Sequence, residues 1–61
     1  MEERVTLEHL ESLIEECKVD YYKFFIKGNK AAATRLRKKY QKIVRVCKIA
    51  REEVLEHKKT L

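Results

Sequence analysis

One dipeptide sets what this chain can fold into. Gly28-Asn29 is its only strong helix breaker, because the 61 residues contain no proline and no other glycine. Glycine suits the left-handed position just past a helix C-terminus, and asparagine is among the best N-cap residues. The pair therefore reads as the end of one helix and the start of the next. On the N-terminal side Leu7, Leu10, Ile14, Cys17, Tyr21 and Phe24 recur at alternating spacings of three and four. On the C-terminal side Ala33, Leu36, Tyr40, Ile43, Cys47, Ala50, Val54, His57 and Leu61 do the same. Such a/d seams belong to helices that pack lengthwise, and no period-two pattern of a strand interrupts them.

The expected fold is all-α. A single domain covers residues 1–61, with one helix over about 6–27, a turn at Gly28-Asn29 and a second helix over about 30–59. Thr6 is the expected N-cap of the first helix, and the acidic start from Met1 to Arg4 could extend it. So short a turn folds the two helices back antiparallel as a hairpin. The seams do not use every apolar residue: Leu13, Tyr22, Phe25, Ile26, Val44, Val46, Ile49 and Leu55 lie off them. A lone core of this size rarely supplies more than roughly 3–5 kcal/mol. Two hairpins joined as a homodimeric four-helix bundle, with the aromatic run YYKFFI inside, would give those residues a place.

Charge is segregated along the chain. Residues 1–27 carry four bases against seven acids, whereas residues 28–61 carry eleven bases against three acids. From Lys30 to Arg51 there are nine Lys or Arg residues and no acid. On a helical wheel Lys38, Lys42, Arg45 and Lys48 fall opposite the second seam. Lys30 and Arg37 flank that face on one side, Arg35 and Lys39 on the other, and Arg51 sits nearer the seam. Like charges three and four residues apart destabilise a helix by a few tenths of a kcal/mol. Acids of the first helix (Glu11, Glu15, Asp20) could relieve them across the hairpin, or an external polyanion could.

A face of this kind matches spaced phosphates, and release of their counterions drives binding without sequence preference. Asn29 is assigned to the cap, which leaves Gln41 as the one amide on the face to pair with base edges. With the aromatics assigned to the core, single-strand stacking is disfavoured. Double-stranded DNA is the leading partner, and charge alone admits RNA as well. The rival reading is a coiled-coil adaptor whose basic face docks an acidic protein. A membrane-surface role is weakened because the aromatics and the bases lie on different helices, and no apolar run reaches transmembrane length.

The stretch GNKAAATRLRKK, residues 28–39, resembles the signature of the bacterial histone H1-like, chlamydial-type nucleoid proteins. The resemblance implies DNA binding and chromosome condensation in the nucleoid, hence a cytoplasmic location. It points to Lys30, Arg35, Arg37, Lys38 and Lys39 as phosphate contacts, to which the wheel adds Lys42, Arg45 and Lys48. Longer relatives carry a Lys/Ala/Pro-rich tail that is not seen after Leu61, so binding with bridging or bending is expected before strong condensation.

Little else in the chain points to chemistry. Cys17 and Cys47 lie on the seams, offset by more than a turn when the hairpin closes, and read as buried thiols. His9 and His57 with the two cysteines match no compact zinc spacing. No nucleophile–base pair, paired-carboxylate cleft or phosphate-cradling glycine loop is visible. The expectation is a protein without catalytic activity, small-molecule substrate, cofactor or metal.

Overall fold

The computed structural model describes residues 4–61, so the acidic start at Met1–Glu3 lies outside the described residues. Two helices, α1 (Leu7–Phe25) and α2 (Lys30–Lys59), pack against each other in a rod measuring 49 × 17 × 16 Å. Thr6 caps α1, its hydroxyl oxygen accepting from the backbone N–H of His9 at 3.1 Å. At the other end Gly28 takes φ 72°, a left-handed conformation in which an L side chain is strained. The N–H groups of Gly28 and Asn29 turn back onto the carbonyls of Phe24 and Lys23 at 3.1 and 2.9 Å, satisfying acceptors that a helix end leaves open. Asn29 then caps α2, its Oδ1 accepting from Ala31 and Ala32 at 3.0 and 3.3 Å. Breaker and cap thus act in the order in which they are written.

Side-chain contacts across the hairpin set its register. Asp20 meets Arg35 and Lys39 near the turn, while Val5 N–H donates to Glu53 Oε1 at 3.0 Å near the open end. This alignment brings Cys17 level with Tyr40 and Cys47 level with Leu10. Because α1 has 19 residues and α2 has 30, the extended segment before α1 runs on beside the last turns of α2. There Arg4 reaches Nδ1 of His57 at 3.5 Å.

The inward stripe of α1 differs from the seam that periodicity picks out. Leu13, Cys17 and Asp20 are buried and Leu10 and Phe24 half-buried, whereas Leu7, Ile14 and Tyr21 are exposed, the last two at 52% and 51%. On α2 the buried residues are Ala32, fully enclosed, and Leu36. Ala33, Lys39, Ile43, Val46, Cys47, Ala50 and Glu53 are half-buried, while Tyr40, Val54, His57 and Leu61 are exposed. Each seam keeps about half of its expected residues, among them Leu10, Cys17, Phe24, Leu36, Ile43 and Ala50, and shifts by one at others, bringing Leu13 in for Ile14, Asp20 for Tyr21 and Lys39 for Tyr40. Two close-packed helices need only one narrow stripe each, and the wider apolar surface leaves a flank uncovered. The run YYKFFI is likewise outside apart from Phe24, with Tyr22, Phe25 and Ile26 exposed.

The uncovered flanks of the two helices meet at the open end of the hairpin. At about 100° per residue, Leu7, Ile14 and Tyr21 share one side of α1, and Tyr40, Val44, Cys47 and Val54 share one side of α2. At the open end a groove lined jointly by Leu7, Leu10, Val54 and Leu61 places the two sides on the same face. Both thiols are free: Cys17 is buried and donates to the Leu13 carbonyl at 3.3 Å, and Cys47 is half-buried on the apolar flank.

Candidate nucleic-acid interface

The basic surface begins with a helix whose first turn holds no acid and which continues without one until Glu52. The eight bases singled out in the sequence fall into two groups. Lys30, Arg37, Lys38, Lys42, Arg45 and Lys48 are exposed, and among the described residues none of them is ion-paired. They lie on the side of α2 turned away from α1, interleaved with Thr34 and Gln41, and span about five helical turns.

Arg35 and Lys39 belong to the hairpin contact instead. Arg35 Nε donates to Asp20 Oδ1 at 3.0 Å, and Lys39 Nζ donates to Asp20 Oδ2 at 2.9 Å. Lys39 also donates to the Glu16 carbonyl at 2.9 Å. Asp20 is 4% exposed, and a carboxylate so enclosed requires partners for both oxygens. The i, i+4 pair on α2 supplies one cation to each. One of the three acids offered by α1 thus relieves the Arg35/Lys39 repulsion, whereas Lys38/Lys42 and Lys42/Arg45 keep theirs. Arg35 stays half exposed beside the outer face, so the triad still leaves one net positive charge there.

The Lys39 ammonium, above all, holds the Asp20 carboxyl below its ordinary value of 3.8; burial opposes this by less, and Arg35 adds a hydrogen bond and its charge. A carboxyl whose folded pKa is depressed contributes stability above its unfolded pKa and loses it as pH falls through the folded one. The stability advantage of the native chain over Asp20→Asn should therefore be constant from neutrality down to about pH 5 and shrink below about pH 4. Thermal melts of the two proteins across that range measure it, and a difference that stays constant down to pH 2 would contradict the triad.

Asp20 is the residue that the apolar periodicity passed over. The signal was present, since Leu10, Leu13, Cys17, Asp20 and Phe24 also recur at three, four, three and four, provided one charged residue is admitted to the stripe. A second group on α1 was also missed. Tyr22 is exposed with the Lys27 ammonium 5.9 Å from its ring centre, and Lys18 and Lys23 stand beside it.

Among the described residues no three His, Cys, Asp or Glu side chains gather as metal ligands. No helix among the described residues is long and apolar enough to cross a membrane.

The family model described as histone H1-like protein Hc1 matches residues 4–60. The chain belongs to this family. Membership makes it a histone-like, DNA-binding protein of the nucleoid, and the family is one of structural DNA-binding proteins rather than enzymes. No curated protein and no solved structure matches the chain. The match takes in both helices of this histone H1-like chain, well beyond the GNKAAATRLRKK stretch around the turn.

Proposed function

We propose that this histone H1-like chain binds double-stranded DNA through the sugar–phosphate backbone, without sequence preference, using the outer face of α2. The observation that carries the proposal is the separation of the eight bases into two that hold Asp20 and six that are exposed and unpaired along one side. Lys30, Arg37, Lys38, Lys42, Arg45 and Lys48 are the phosphate contacts. Arg35 and Lys39 fix the helix register and reinforce the potential at the edge of the face. A row of cations on a straight helix meets phosphates one after another. Thr34 and Gln41 are the only uncharged polar side chains interleaved with them, too few to read base edges.

Self-association belongs to the same proposal. The flank of Leu7, Ile14, Tyr21, Tyr40, Val44 and Val54 is the surface through which two hairpins pair into a four-helix bundle, leaving both basic faces outward. A dimer of this kind bridges two duplexes or follows one bent duplex. The core within one hairpin is small, which favours a partner of the same composition.

Fluorescence anisotropy on a duplex of unrelated sequence, repeated over a salt series, tests the DNA reading. Six phosphate contacts predict a slope of log affinity against log salt of about −5. A slope near −1, or no binding at low salt, would return the basic face to the acidic protein partner of the rival reading.

A further inference from the structure

The outer face of α1, which the duplex-binding face of α2 does not use, carries a second cationic surface. Val19, Tyr22 and Ile26 recur at i, i+3 and i+7 on the side away from α2, and all three are exposed. Lys18, Lys23 and Lys27 border them. Together with Asn29 at the turn, Val19, Tyr22 and these lysines line a shallow groove of about 600 Å³. Lys18 is shared with Glu15 at 2.6 Å, whereas among the described residues Lys23 and Lys27 are not ion-paired. The nearest acid towards the turn is Asp20, which is enclosed by its two partners. The C-terminal half of this outer face is therefore apolar and aromatic at its centre and cationic around it.

We infer that this groove binds a single strand of nucleic acid, with an unpaired base stacked on the Tyr22 ring and the adjoining phosphates held by Lys23 and Lys27. The inference rests on the chain being a DNA-binding protein and extends it to a second site with a different substrate form. Two observations select the single strand over a second duplex. A duplex needs only charge and offers no base face, so it has no use for a half-exposed tyrosine ring at the centre of the groove. The Lys27 ammonium already stands over Tyr22, so cation and π-face are set together, an arrangement that meets a phosphate and its base at once. The two sites lie on opposite sides of a rod only 16–17 Å thick. A single hairpin would then hold a duplex on α2 and an unpaired strand on α1.

The test compares a 30-residue oligothymidylate with a duplex of equal length, using the full chain and Tyr22→Ala, Tyr22→Phe and a Lys23→Glu/Lys27→Glu double variant. Tyr22→Ala should weaken single-strand binding about 5- to 100-fold and change duplex binding less than about twofold. Tyr22→Phe should keep the native affinity for the single strand, because stacking needs the ring and not the hydroxyl. The double variant should lower the single-strand salt slope by at least about 1. Equal losses on both substrates, or no loss on either, would overturn the inference. So would binding to 1:1 phosphatidylglycerol–phosphatidylcholine vesicles that Tyr22→Ala abolishes while single-strand affinity holds, which would assign the groove to an anionic lipid surface. Failure of the duplex arm alone, with the oligothymidylate results as expected, would remove the α2 proposal and leave this one standing.

Discussion

Replacing Lys38, Lys42 and Arg45 together by glutamate is expected to abolish duplex binding, lowering affinity by at least about 1000-fold at low salt. Three charge-assisted contacts at about 1.5 kcal/mol each account for that factor before any repulsion by the new carboxylates is counted. The three side chains are exposed on the outer side of α2 and pair with no acid among the described residues, so their removal breaks no internal contact. Helix content should be unchanged as well, because the 38/42 pair stays like-charged and its repulsion is of similar size. Circular dichroism and anisotropy on the same sample separate the two effects. Unaltered affinity in a folded triple variant would remove α2 from the interface.

Leu36→Ala is expected to have the largest effect on stability. Leu36 is 4% exposed and sits level with the space between Cys17 and Phe24, between the two α2 residues that hold Asp20. Truncating a buried leucine costs about 2–5 kcal/mol. A hairpin core of this size supplies roughly 3–5 kcal/mol, so the variant should be largely unfolded at 25 °C in dilute solution. Ile14→Ala supplies the contrast. Ile14 is 52% exposed on the apolar flank and should cost a single hairpin little. In a dimer closed through that flank, whose melting midpoint depends on protein concentration, the same change should cost more. Urea melts at two concentrations read both variants. If Leu36→Ala cost no more than Ile14→Ala at high dilution, the observed stripe would not be the core.

How far the chain could be read in advance depended on the range of the interactions involved. The two helices and the turn between them were legible because their causes are local. Gly28 reaches a positive φ that other residues resist, and Asn29 bonds to amides two and three residues ahead. The basic face was legible for the same reason, since the angular position of a charge on a helix follows from its residue number. The choice of stripe was not. Two stripes overlap on α1, sharing Leu10, Cys17 and Phe24, and apolar periodicity prefers the one that continues through Ile14 and Tyr21. The structure takes the one through Leu13 and Asp20, because α2 brings Arg35 and Lys39 to that level.

The same contact divides the candidate site. On the wheel alone Arg35 and Lys39 flank the same basic face that Lys38 and Lys42 centre, and the bundle reading puts Tyr22 in a core. By itself the sequence determined that this would be a helical hairpin with its positive charge gathered on the second helix, since capping, periodicity and charge order all act within a few residues. Only the tertiary structure decided which bases remain exposed and which hold Asp20, and that Tyr22 stands outside among lysines. Those outcomes depend on groups 15 and 19 residues apart in the chain meeting across the hairpin, and on a seam too narrow to cover every apolar residue it was offered.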